Sequence, residues 1–317
     1  MSDHQHGPAA AHGHGAAHAH GPAPGSGSDG HGPADGSAGH DHDQEALTEL
    51  LDLDGEVLRD YLDQATAWIA AAAQSPVTRV IDLGAGTGTG TFALLRRFPG
   101  AHVTAVDLDA SRLERLRARA HDLDLAGRVT VAAADLDQPW PDLGPADLVW
   151  ASMALHHVAD PARTLTRILG LLRPGGSLAV AETTALESFP RFLPGGVSVA
   201  GAAPGLEDRV HHLLAGRLAA EVPELGADWG ARLAAAGFEG AAQRTFSIAL
   251  GPPLPAQAPR YAQLTLDRLR TGLTDRLAPA DQQALAALAA PEGPASVLHR
   301  PDLTIRATRL LWLARRP

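Results

Sequence analysis

The chemistry of this chain concentrates in one short run, Val80-Ile81-Asp82-Leu83-Gly84-Ala85-Gly86-Thr87-Gly88-Thr89-Gly90. An apolar stretch leads into alternating glycines, so the backbone there is free to approach a ligand closely and to adopt positive φ. A dinucleotide fingerprint would read Gly-x-Gly-x-x-Gly and set a pyrophosphate on a helix N-terminus. Counted from Gly84, Thr89 stands in the third glycine's place, so that spacing fails. Asp82, two residues before the first glycine, suits a ligand with an ammonium group better than one with phosphates. A second apolar run, Val103 to Val106, ends in Asp107 and is followed by Leu108. A carboxylate at the carboxyl edge of a strand accepts hydrogen bonds from both ribose hydroxyls, and the interval from Asp82 fits the next parallel strand. Asp135 and Leu136 follow a third run that ends at Ala133. The three strand ends line one edge, where open α/β sheets bind ligands.

His156 and His157 follow the fourth run. Imidazole titrates near neutrality, which makes both candidate general bases; the competing role is packing or helix initiation. Glu182 closes the fifth run and is placed either to touch a substrate or to hydrogen-bond a neighbouring loop. Tyr61 and Trp68 are placed to close over a cofactor or to fill the core, and Trp140 to pack on a base. His211 and His212 belong to a helix that faces either a pocket or water.

The elements that must position these groups follow from periodicity. Residues 79–83, 102–107, 128–133, 146–152 and 177–183 read as strands, and helices at about 88–98, 110–125 and 160–173 fill the gaps. Alternation of this kind is the signature of βα units joined by right-handed crossovers. Upstream, Gln44 to Ala73 carries apolar residues at helical spacing and reads as two amphipathic helices split near Gly55. Downstream come a Gly/Pro-rich loop at 190–205, helices near 206–220, 228–236, 258–272 and 280–290, and strands at 238–250 and 303–314. The expected fold is α/β: a Rossmann-like parallel sheet of about seven strands with an antiparallel last strand, helices on both faces and an N-terminal helical cap. Its parts are a tail at 1–43, the cap at 44–75 and the main domain at 76–317, with its core at 76–184 and substrate-side elements at 185–317.

Composition narrows the chemistry further. Cysteine is absent, so disulfides, thiolate metal sites and Cys nucleophiles are excluded. All 26 basic residues are Arg, which reads as the codon bias of a GC-rich bacterial genome. A formal net charge of −10 disfavours an extended nucleic-acid partner. No apolar run is long enough to span a membrane and no leader pattern opens the chain, so the expected compartment is the cytoplasm, with no membrane partner. Residues 1–43 hold nine of the 16 histidines and almost no large apolar side chain, so they are expected to be disordered. A flexible His tract binds metals weakly and imposes no geometry, and no defined metal site is expected.

With these motifs in order, the chain resembles the class I methyltransferases that use S-adenosylmethionine, over about residues 76–184 with a continuation to 317. The resemblance implies that Asp82, Gly84, Ala85, Gly86 and Gly88 lie near the methionine part of that cofactor. It places Asp107, with Leu108 beside it, at the ribose, and Asp135 with Leu136 at the adenine. Ala146 to Trp150, followed by Ala154-Leu155-His156-His157-Val158, resembles the fourth-strand segment of small-molecule methyltransferases, and Leu172-Arg173-Pro174-Gly175-Gly176 the turn into the fifth strand. Residues 238–250 and 303–314 are placed to supply the family's closing antiparallel hairpin.

The implied activity is methyl transfer to an oxygen or nitrogen of a small-molecule or peptide acceptor. Two other readings are a nicotinamide-dependent oxidoreductase on the same fold and a metal-binding protein working through its His-rich tail. The long insertion between the last two strands is of a kind that either covers a site or makes a dimer interface.

Overall fold

The apolar runs form strands and the amphipathic stretches between them form helices. In the computed structural model, residues 36–183 and 189–317 are described, with side chains from residue 44 onward. Residues 41–317 form a compact unit that holds the sheet. Its strands are β1 (Arg79–Leu83), β2 (His102–Asp107), β3 (Val129–Ala133), β4 (Ala146–Ser152), β5 (Leu172–Glu182), β6 (Glu239–Leu250) and β7 (Ile305–Arg315). They lie in the order β3-β2-β1-β4-β5-β7-β6. β7 runs antiparallel to both its neighbours, and β1 to β5 pair in parallel. This is the Rossmann-like architecture the sequence implies, closed by the expected hairpin.

The helices are α1 (Gly36–Val57), α2 (Arg59–Ala72), α3 (Thr89–Arg97), α4 (Ala110–Asp122), α5 (Pro161–Leu171), α6 (Leu206–Glu221), α7 (Trp229–Ala235), α8 (Ala258–Gly272) and α9 (Pro279–Ala289). A parallel sheet must be covered on both faces, because its strands are apolar throughout. One face, with Val80, Ala105 and Trp150, packs under α2, α3 and α8; the other, with Ile81, Val149 and Trp312, packs under α5 and α7. Helix starts follow local chemistry. The Asp109 carboxylate accepts from the Ser111 and Arg112 amides at the head of α4, and Asp160 does the same for Arg163 ahead of a proline at the start of α5.

Three boundaries differ from expectation. The break between the cap helices falls at Leu58, with Gly55 inside α1. A side chain at Gly55 would come within 2.7 Å of the Thr89 hydroxyl, so this glycine serves a close helix approach and does not break the helix. β5 begins at Leu172, five residues early, because Leu172 pairs with Ala146 before a register shift. α1 begins at Gly36, inside the segment expected to lack structure. The histidines of residues 1–35 lie outside the described residues.

Candidate functional site

Between β1 and β4 the strand order reverses, and the crevice above such a switch point is where open α/β sheets hold ligands. The glycine-rich turn sits there. The amides of Gly84 and Ala85 donate to the Val106 carbonyl at 2.8 and 2.9 Å, which ties the turn to β2. Gly84 has φ +72°, and a Cβ there would stand 2.4 Å from that of Ala154. Gly90, in the first turn of α3, leaves room for two polar atoms: a Cβ would lie 2.5 Å from Trp150 Nε1 and 3.2 Å from Asp82 Oδ2.

Asp82 is 1% exposed and pairs in register with Trp150 of β4. Its Oδ2 accepts a hydrogen bond from the Thr91 hydroxyl at 2.6 Å. Burial pushes its carboxyl up to about 7, with the Thr91 bond opposing and the Asp107 charge adding to the rise. A cation placed beside it would favour the ionised form.

Asp107 closes β2 at 8% exposure. Its Oδ2 accepts from the Gly86 amide at 2.8 Å and its Oδ1 from the Asp109 amide at 2.9 Å. Each carboxylate oxygen has a further lone pair, so the group can also accept from a diol. Leu108 is 70% exposed beside it, an apolar shelf open to solvent. Asp135 lies next along the edge, its Oδ1 accepting the Asp137 amide, and the Leu136 carbonyl accepts from the Trp140 indole at 3.1 Å. Trp140 is stacked under Arg167, 5.6 Å from its ring centre.

From the glycine turn a cavity of about 680 Å³ extends past Ser152 and Met153 to Arg309 of β7. It is walled by Leu47, Leu50 and Leu51 of α1, by Tyr61 of α2, and by Leu214 of α6 and Leu264 of α8. α1 and α8 are tied together by the Tyr261 hydroxyl donating to Asp54 at 2.9 Å and by the Arg260–Glu49 pair. Two buried polar atoms near the turn, Thr87 Oγ1 and Trp150 Nε1, have no partner, and both residues line the cavity. An unpaired buried polar atom costs stability unless a ligand pairs it.

The histidines take other positions. His156 is buried, and its Nδ1 lies 2.5 Å from Glu182 Oε2. The Glu182 Oε1 accepts the amides of Ala154 and Leu155, so one carboxylate fixes the loop after β4. This is the loop-bracing role foreseen as one alternative for Glu182. His157 is exposed and tilts against His156 at 4.0 Å. Neither lines the cavity. His211 is buried without lining it, its imidazole lowered to about 4 by burial, and His212 is exposed. Tyr61 does line the cavity, while Trp68 packs on Phe246. Sequence reading missed Met153, Tyr261 and Arg309, all on the cavity wall. Met153 follows β4 with φ +53°, a strained setting for a side chain that carries no sequence signature.

Residues 81–178 match the family model described as a methyltransferase domain. Over that stretch, about a third of the chain, it is similar to a methyltransferase domain, in keeping with its Rossmann-like sheet. Over 100 residues it is 41% identical to the trans-aconitate 2-methyltransferase of Methylobacterium radiotolerans, covering 32% of this chain and 36% of that one. To the trans-aconitate 2-methyltransferase of Pseudomonas aeruginosa it is 31% identical over 188 residues, 49% of this chain and 64% of the relative. The chain thus spans from about a third to just under two thirds of these curated relatives. Among solved structures it is similar to Haemonchus contortus phosphoethanolamine N-methyltransferase 2 in complex with S-adenosyl-L-methionine. That likeness has 18% identity and a TM-score of 0.44, over 80% of this chain and 52% of the other.

Proposed function

We propose that the chain transfers a methyl group from S-adenosylmethionine to an oxygen or nitrogen of a small-molecule or peptide acceptor held in the cavity. The observation that carries this is the pairing of two different carboxylates at adjacent strand ends. Asp82 is buried and near its protonation midpoint at neutral pH, suited to an ammonium group. Asp107 is held by two amides beside the exposed Leu108, suited to a ribose under a flat base. Thr87 Oγ1 and Trp150 Nε1 fit the same reading as polar atoms awaiting a partner. In this reading Asp135 and Leu136 border the adenine and Gly88 shapes the turn.

The cofactor, when bound, supplies a methyl carbon made electrophilic by its sulfonium. The chain's part is to hold the acceptor in line with that carbon and to exclude water. The roof of α1, α2 and α8 does the second. His156 acts by fixing the loop after β4 through Glu182 and His157 packs on its ring, since neither ring meets the cavity. The small-molecule class of acceptor agrees with the enclosed volume and with trans-aconitate in the relatives' name.

The test is transfer of labelled methyl from S-adenosylmethionine into size-fractionated bacterial lysate, with an Asp107→Ala control. Label should enter the small-molecule fraction. The control should bind S-adenosylhomocysteine more weakly by about 1.5–3 kcal/mol, the worth of a hydrogen bond to a charged group. Label in macromolecules alone would overturn the acceptor class. Calorimetric binding of NAD with none of S-adenosylhomocysteine would overturn the cofactor.

A further inference from the structure

We infer that the chamber between α1, α6 and α8 receives the methyl acceptor, and that this acceptor is an uncharged, largely apolar molecule whose oxygen takes a hydrogen bond from the Tyr61 hydroxyl. The inference rests on the cofactor reading above, which gives the glycine-turn end of the cavity to the methyl donor. The rest of the wall comes mainly from helices: Leu47 and Leu50 of α1, Leu214 and Leu218 of α6, and Leu264 and Leu269 of α8. Walls of this kind hold apolar molecules, and a few placed polar groups fix their orientation. Tyr61 of α2 lines the same cavity, and its ring meets Phe246 edge-on with centroids 5.5 Å apart. Phe246 pairs with Arg309 of β7, so the phenol is placed toward that strand and away from Asp82 of β1.

The polar groups of the wall decide the charge of the occupant. Asp54 accepts the Tyr261 hydroxyl, Asp267 is paired with Arg270 and Arg217 with Glu221, and Arg268 and Arg309 have partners of their own. The Thr265 and Thr271 hydroxyls donate back to carbonyls of their own helix. Asp82 lies at the donor's end and accepts from Thr91. The Tyr61 hydroxyl differs from all of these: it is buried and has no hydrogen-bond partner among the described residues. Burial holds the phenol well above its ordinary range, and Asp54 and Arg309 act on it with opposite sign, so it stays a neutral donor. Thr87 Oγ1 and Trp150 Nε1, the other unpaired buried atoms on the wall, are neutral as well and belong with the glycine turn. A charged acceptor entering here would lose its water without meeting an unengaged counter-charge, which costs far more than burying a neutral oxygen. An oxygen on an apolar body pairs the orphan hydroxyl and covers the leucines.

The experiment saturates the full chain with S-adenosylhomocysteine and titrates acetophenone, toluene, benzoate and benzylammonium by calorimetry. Acetophenone should bind tighter than toluene by about two- to tenfold, the worth of one neutral hydrogen bond, and tighter than either ion by about tenfold or more. Tyr61→Phe should bring acetophenone down to the level of toluene, while toluene and S-adenosylhomocysteine bind as they do to the wild type. The wild-type ranking needs no variant: either ion binding tightest, or acetophenone binding no tighter than toluene, overturns the inference while the cofactor reading stands. An acetophenone preference that survives Tyr61→Phe overturns it too, as does a loss of S-adenosylhomocysteine affinity in that variant, which would put the phenol on the cofactor. Absence of S-adenosylhomocysteine binding in the wild type brings down both readings.

Discussion

Asp82 carries opposite demands of folding and binding. Burial holds its native carboxyl up at about 7 against an ordinary value of 3.8 in the unfolded chain, so between these values the native state holds a proton the unfolded state has lost. Stability therefore falls as pH rises through that window. Binding of an ammonium group needs the carboxylate, so cofactor affinity rises with pH over the same range. Asp82→Asn should bind S-adenosylhomocysteine weakly at every pH yet melt higher than wild type at pH 8, where the native carboxylate is ionised; calorimetry and thermal melts at two pH values check both. A variant less stable at pH 8 would show that the Thr91 bond outweighs the burial. For His156, replacement by alanine should cost about 1–3 kcal/mol in urea unfolding by leaving Glu182 short of a partner. Methyl transfer by the folded fraction should stay within about tenfold of wild type, whereas a general base would be worth roughly a hundredfold or more.

Among the elements, the join between α1 and α3 decides how the cap sits on the glycine turn. Gly55 meets Thr89, whose hydroxyl also donates to the Leu51 carbonyl at 3.0 Å. Alanine is the better helix former by about 1 kcal/mol. Gly55→Ala should nonetheless destabilise the protein by about 1–3 kcal/mol, the usual effect of overpacking a close contact, as denaturant unfolding would measure. Unchanged stability would mean that Thr89 turns aside freely. This junction also marks the limit of what sequence discloses. The strands and their order of appearance were legible because an alternation of apolar runs and amphipathic stretches has few solutions, and Asp82 and Asp107 stood out because they lie at the carboxyl ends of apolar runs. Gly55 was misread because a glycine at a helix break and a glycine at a helix crossing look alike locally. Tyr261 and Arg309 were invisible as site residues because they stand about 175 and 220 positions from the glycine turn, brought to it only by tertiary packing.

On the scale of the whole molecule, the His-rich tract at residues 1–35 lies outside the described residues. Removing residues 1–35, ahead of the first helix, should leave S-adenosylhomocysteine affinity and methyl transfer unchanged, as calorimetry and the labelled assay would show. Loss of turnover on removal would give the tract a working role and revive the metal-binding reading. The placement of β7 has a different consequence, for synthesis. β6 leaves the ribosome some 55 residues before β7, its one partner among the described strands. Until β7 arrives, β6 waits unpaired and β5 keeps an open, apolar edge, the condition in which strands pair with the wrong chain. The emerging chain is therefore most exposed to aggregation late, after the cofactor half has been made, and a pause in translation between residues 250 and 305 would lengthen that exposure.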